Sequence, residues 1–323
     1  MMNTFPVTVT HDLTTTIYTP RSQHPVAVYL AKLSPGSRRA MRHALDVVAG
    51  ILTSGRCNAE RLDWPALRYQ HTAAVRAVLA ERYSSAMANK ALAALRGALA
   101  QCWQLGQMNA EEYHRACKID LVRGSTLPKG RALAFGELRA LFASCAVDSS
   151  LIARRDAAML GVLCGGGLRR AEIVALDLDD YDADSGALKV FGKGHKERVV
   201  YMTNGAKDAL EVWLKARGSE PGPLFVRIGK GKKMTMSRLT DQAVWHILQQ
   251  RMQQSGVKAF SPHDLRRTFI STLWDAGADG VSIQRLAGHS SIQTSAKYDR
   301  RGEESKRRAA TLVHVPFSGS NAE

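Results

Sequence analysis

The sequence predicts a mainly α chain with a small antiparallel β-sheet in its second half, and three observations carry that expectation. From about His24 to Cys117 the residues read almost wholly as helix, with turn signals at Ser34-Pro35-Gly36, at Asp63-Trp64-Pro65 and near Gly106. A stretch with almost nothing apolar, Asp120 to Arg131, follows it. Beyond that stretch, Leu188, Val190, Val199 and Tyr201 alternate around Gly192-Lys193-Gly194-His195, the pattern of a β-hairpin with a basic, glycine-rich turn.

With 323 residues the chain has room for two domains, each burying its own core. The expected division is a flexible N-terminus over 1–20, a helical domain over 21–118, a basic linker over 119–131, a mixed domain over 132–302 and a tail over 303–323. In the first domain, Ser84 to Gln104 is rich in Ala and Leu and carries Lys90 and Arg96, as an amphipathic helix with a cationic outer face does. The linker contributes Lys129 and Arg131. In the second domain, helices are expected over Phe135–Ala143, Arg154–Leu163, Ser237–Gln254, Arg267–Ala276 and Val281–Ala287. Between them Ala206, Ala209, Leu210, Trp213 and Leu214 recur with helical spacing. The tail from Glu303 to Val313 reads as a basic helix with an apolar stripe.

Charge narrows the choice of partner. Lys plus Arg number 45 against 29 Asp plus Glu, a formal +16, and such an excess suits a polyanion held through phosphate contacts. The five cysteines, Cys57, Cys102, Cys117, Cys145 and Cys164, form no CxxC pair, which argues against a disulfide framework or structural zinc. No apolar run approaches the roughly 20 residues of a membrane span. A cytoplasmic, nucleoid-associated protein without a membrane partner is expected.

Four patches in the second half bear candidate chemistry, each weak alone. In Gly165-Gly166-Gly167-Leu168-Arg169-Arg170-Ala171-Glu172-Ile173 the glycines break a helix and set Arg169 at the start of the next, where helix dipole and guanidinium both favour a phosphate. The hairpin turn carries Lys193 and Lys196, with Arg198 just beyond; solvated turn lysines are the commoner reading. In Ser261-Pro262-His263-Asp264-Leu265-Arg266-Arg267-Thr268, Ser261 and Pro262 signal a helix start, so His263 and Arg266 share one face. Last come Leu286-Ala287-Gly288-His289-Ser290-Ser291 and then Tyr298. A basic cluster, Lys230, Lys232 and Lys233, lies in a loop between these patches.

Taken in order, these patches resemble the tyrosine recombinase (phage-integrase) family, whose pattern runs Gly-Leu-Arg-x-x-Glu, a Gly-Lys-Gly hairpin, His-x-Leu-Arg, Leu-Gly-His and Tyr. The resemblance covers about residues 132–315, of the simple two-domain kind seen in Xer-like or mobile-element recombinases. It implies a helical core-binding domain and an α+β catalytic domain clamped around DNA. It also implies that Arg169 and Arg266 hold the scissile phosphate, that Glu172 supports Arg169, that Lys193 is the hairpin lysine, that His263 and His289 are the two histidines and that Tyr298 is the nucleophile. Gly166 stands where the family often has Thr, and Ala287 where Gly is frequent; neither change removes a functional group.

The implied reaction is cleavage and rejoining of DNA at a specific core site through a 3′-phosphotyrosyl bond and a Holliday junction, by a homo- or hetero-tetramer, with no cofactor, metal or ATP. A free tyrosine titrates near pH ~10, so the nucleophile needs a base, for which His263 is the choice, and the leaving 5′ oxygen needs an acid, for which Lys193 is. Lys90, Arg96, Lys129, Arg131, Lys196, Lys230, Lys232, Lys233 and Arg267 are the expected DNA contacts. Two alternatives remain: a type IB topoisomerase-like enzyme that relaxes DNA, and a site-specific DNA-binding protein without catalysis.

Overall fold

The computed structural model describes residues 13–14, 19–124, 130–147, 149–192, 196–229, 231, 233–296, 298–299, 307 and 310–313. The chain divides into two compact units, Met1–Pro128 and Lys129–Glu323.

The first unit contains α1 (Pro25–Ala31), α2 (Pro35–Thr53), α3 (Tyr69–Arg82), α4 (Ser85–Gln104) and α5 (Ala110–Cys117). Local chemistry sets the ends. Pro35 occupies the first turn of α2, where its missing N–H costs nothing. The hydroxyl of Ser84 accepts from the Met87 N–H and caps α4. Helical spacing then buries Leu45, Val48, Leu92, Leu95 and Leu99 around Trp64, whose indole N–H donates to the Ala59 carbonyl at 2.8 Å. Arg96 does not project from this unit as expected: its guanidinium donates to the carbonyls of Cys117 and Ile119, fastening the end of α5 to α4.

The second unit contains α6 (Phe135–Ala146), α7 (Leu151–Gly166), α8 (Arg170–Ala175), β1 (Ala187–Phe191), β2 (Glu197–Tyr201), α9 (Asn204–Arg217), β3 (Val226–Ile228), β4 (Met234–Arg238), α10 (Asp241–Ser255), α11 (Pro262–Asp275), α12 (Gly280–Ala287) and α13 (Ile292–Ala296). Helix α7 runs through its core, burying Met159, Leu160, Val162 and Leu163. A Cβ at Gly165 would stand 2.8 Å from the side chain of Ala206, so the glycine lets α9 close on α7. Three buried charges join α7 to its neighbours: Asp156 accepts from Arg155 at 2.8 Å and from Arg251 of α10 at 2.9 Å, and Arg251 also donates to the Ser144 carbonyl.

Strands β1 and β2 pair antiparallel from Ala187↔Tyr201 to Phe191↔Glu197, with Leu188, Val190 and Val200 turned into the core. The other hairpin was not anticipated. Met234–Arg238, whose first part reads as loop and whose end reads as helix from the sequence, forms β4 against β3. Its helix begins only at Asp241, because the Thr240 hydroxyl accepts from the Ala243 N–H and caps it there. Helix α11 starts at Pro262, where the Ser261-Pro262 pair signals it, and so extends the periodic stretch from Arg267 back by five residues. The basic tail lies outside the described residues except for Arg307 and 310–313. Among the described residues no helix is long and apolar enough to cross a membrane, and no group of three His, Cys, Asp or Glu could hold a metal ion.

Candidate active site

Arg169 is where the glycine run puts it. Helix α7 ends at Gly166, Gly167 turns the chain with φ +61°, and a Cβ at Gly167 would stand 2.3 Å from the Phe269 ring, so only glycine makes this turn. Arg169 then caps α8 with its side chain 43% exposed. Its backbone N–H and one guanidinium nitrogen both donate to Glu172, at 2.9 and 2.5 Å.

Glu172 is 5% exposed and holds a second arginine as well. Arg198 of β2 donates to both carboxylate oxygens, at 3.2 and 2.8 Å, and its Nε donates to the Leu286 carbonyl at 3.0 Å. Burial acts to raise the Glu172 pKa, but the hydrogen bonds from Arg198 and from the Arg169 backbone outweigh it and hold the carboxyl at about 2. Sequence reasoning noted Arg198 only as a basic hairpin residue. Its role depends on two distant partners that no local pattern reveals.

Arg266 lies on α11, 1% exposed, and donates to the carbonyls of Gly167 at 2.6 Å and of Ala287. Burial, then repulsion from Arg169, pushes its pKa down to about 10, which leaves it cationic at neutral pH. One turn earlier, His263 faces the same cleft. Burial and then the charges of Arg266 and Arg267 hold its imidazole below the usual histidine value. Its Nε2 is 3.4 Å from the Tyr298 hydroxyl. The His289 ring lies nearly parallel to that of Tyr298, 19° apart with centroids 6.3 Å apart. Its Nδ1 is 2.8 Å from the Ser295 hydroxyl. Burial, then Arg266 and Arg169, push the His289 pKa down to about 4.

The first turns of α8, α10 and α11 converge on a cleft of about 580 Å³ lined by Arg169, Arg170, Gln242, Trp245, His263 and Arg266. Three arginines and three helix starts facing one open space make a receptor for a tetrahedral anion. A tyrosine hydroxyl beside an uncharged imidazole is a nucleophile next to a base.

Five of the six catalytic candidates, Arg169, His263, Arg266, His289 and Tyr298, are thus gathered with Glu172. The sixth, Lys193, lies outside the described residues, as do Lys129, Lys230 and Lys232. Lys196 and Lys233 are exposed and Lys90 is half-buried. Two other expected DNA contacts are engaged within the protein. Arg131 donates to Glu137 at 2.5 Å and to the Lys258 carbonyl at 2.8 Å. Arg267, 7% exposed, places its guanidinium 5.0 Å over the Tyr298 ring and its Nε 3.6 Å from Asp264.

A chain whose second unit lines a cleft with Arg169, Arg266 and His263, and sets Tyr298 against His263 and His289, has the features of an enzyme of phosphoryl transfer. Comparison with known proteins makes this particular. The sequence model of the Phage integrase family matches residues 131–304. Tyrosine recombinase XerC of Azotobacter vinelandii (strain DJ / ATCC BAA-1303) is 33% identical over 277 residues, spanning 81% of this chain and 86% of that protein. The chain belongs to the phage integrase family and is a tyrosine-type site-specific recombinase. Two solved structures share its fold. The Tn1549 transposon integrase in complex with transposon right end DNA has a TM-score of 0.65 at 15% identity, covering 90% of this chain and 98% of that one. XerH site-specific recombinase bound to palindromic difH substrate has a TM-score of 0.62 at 21% identity, covering 89% and 78%.

Proposed function

We propose that this chain cleaves and rejoins DNA at a specific core site through a covalent bond between Tyr298 and a 3′ phosphate. The observation that carries it is the Tyr298 hydroxyl 3.4 Å from His263 Nε2, beside the buried Arg266. A phosphodiester repels an incoming oxygen until its charge is neutralised. Arg169 and Arg266 do this with permanently charged planar forks that a lysine does not reproduce. His289 adds a hydrogen bond to a non-bridging oxygen.

The Tyr298 oxygen attacks phosphorus as its proton passes to His263, and the bond to the 5′ oxygen breaks as that oxygen takes a proton from Lys193. The products are a 3′-phosphotyrosine and a 5′ hydroxyl. Attack by a 5′ hydroxyl from another duplex reverses the step and exchanges strands, so bond energy is kept and neither metal nor ATP enters. Repeated on two sites by four protomers, the exchange passes through a Holliday junction. Residues 21–118 act as a helical core-binding domain and 132–302 as the catalytic domain, with the tail from residue 303 docking on a neighbouring protomer. Lys90, Lys129, Lys196, Lys230, Lys232 and Lys233 contact the DNA backbone.

The test is covalent trapping. Nicked duplexes selected for binding from a random-core library are incubated with the protein in EDTA, denatured and resolved on a gel. An adduct in the wild type that vanishes in Tyr298→Phe is the expected result. DNA binding without any adduct refutes the proposal.

A further inference from the structure

His289 is fixed by its neighbours in two different ways. Its backbone is clamped by α12: the N–H donates to the Gln284 carbonyl at 3.0 Å, and the Gln284 side chain donates to the His289 carbonyl at 3.1 Å. These contacts leave the imidazole free to turn and to carry its proton on either nitrogen. The ring is met by Ser295, whose hydroxyl lies 2.8 Å from Nδ1 and which is 0% exposed. Ser295 is held in turn by α11, since the Trp274 indole N–H donates to its carbonyl at 3.1 Å.

We propose that Ser295 is a positioning residue, whose hydroxyl donates to Nδ1 of His289 and so fixes the tautomer that presents Nε2–H to the scissile phosphate. The inference builds on the phosphotyrosyl chemistry above. In a neutral imidazole one nitrogen donates and the other accepts, and the partner of one decides the role of the other. With the proton on Nδ1, Nε2 would direct a bare lone pair at phosphate oxygens, which repel it. The hydroxyl proton of Ser295 would also need a second acceptor in a place closed to water. With the proton on Nε2, the hydroxyl donates to Nδ1, and the remaining N–H serves the anion. The depressed pKa of His289 agrees with this, because the ring stays neutral while Arg266 and Arg169 carry the positive charge. Ser295→Ala leaves Nδ1 buried without its donor and the tautomer unassigned.

The experiment reads the tautomer directly and the chemistry separately. Full-length protein labelled with 15N-histidine is examined by long-range proton–nitrogen correlation, with the His289 signals assigned by their loss in His289→Gln. The expected wild-type spectrum has Nε2 as the protonated nitrogen and Nδ1 as the bare one across neutral pH. A protonated Nδ1 overturns the proposal. Cleavage of nicked DNA is then followed in a single turnover. Ser295→Ala is expected to slow it roughly 10- to 100-fold with DNA affinity unchanged, and Ser295→Thr to restore most of the rate. The other histidine signals report whether each variant is folded. Unchanged tautomer and rate in a folded Ser295→Ala overturn the assignment. Failure of the wild type to form any adduct removes the phosphotyrosyl reading instead, and the wild-type spectrum still judges the role of Ser295.

Discussion

In the reaction proposed above His263 has to be uncharged to take a proton from Tyr298, and its surroundings favour that form. Burial removes water from the imidazolium, and Arg266 and Arg267 add repulsion, so its pKa lies below the usual histidine value of 6.5. The sign of the pH effect follows. Below its pKa the ring is protonated and the base is lost; above it the base is present. Single-turnover cleavage should therefore fall on acidification with an apparent pKa under 6.5 and be flat in its His263 dependence at neutral pH. His263→Gln should remove this acidic limb and slow cleavage by about 10²-fold or more. A limb with its midpoint above pH 7 would exclude His263 as the base. Arg266 shows the complementary case, a charge retained in a buried place where its guanidinium donates hydrogen bonds to the backbone carbonyls of Gly167 and Ala287.

Several elements are joined by charged side chains. Arg198 links β2 to Glu172 of α8 and to the last turn of α12, and Glu172 in turn orients Arg169. The carboxyl is held at about 2, against 4.5 for an ordinary glutamate, so its contribution to stability is complete above pH 4.5 and is lost as pH falls through about 2. Arg198→Met removes the strongest of the hydrogen bonds that lower it. The carboxyl should then titrate higher, and acid unfolding followed by circular dichroism should move to higher pH than in the wild type. An unchanged acid midpoint would mean that Glu172 does not depend on Arg198. The Arg155–Asp156–Arg251 group ties α7 and α10 in the same manner, at a distance from the cleft.

Over the whole molecule the +16 excess sets the character of DNA binding. Each phosphate neutralised releases counterions, so log affinity should fall linearly with log salt, losing about 10³-fold or more between ~50 and ~200 mM if six or more phosphates are met. A titration by fluorescence anisotropy measures the slope; affinity indifferent to salt would sever the charge excess from DNA. How far the sequence foretold this molecule varies with the kind of feature. Helices with periodic cores, such as α9 and the hydroxyl-capped α4, were legible, as was the alternating hairpin of β1 and β2. The β3–β4 hairpin was hidden because β3 has three residues and a lysine-rich turn reads as loop. The positions of Arg169, His263 and Arg266 at helix starts were legible because glycine and proline mark those starts in the sequence. The intramolecular partners of Arg96, Arg131 and Arg267 were not legible because composition counts charges without their directions, and a guanidinium with five donors is readily engaged by the protein's own carbonyls and carboxylates. Ser295 and Arg198 matter through contacts with residues that only folding brings near.

Because one guanidinium fastens β2, Glu172 and the end of α12, the hairpin is not an interchangeable part. A hairpin transplanted from a relative needs an arginine at the register of Arg198, and it needs Gly288 opposite, since a Cβ there would stand 3.0 Å from the Arg198 side chain. The unit that can be exchanged is the hairpin together with Glu172 and the turn at 286–288. For anyone building chimeras, these three separated stretches amount to a single cassette.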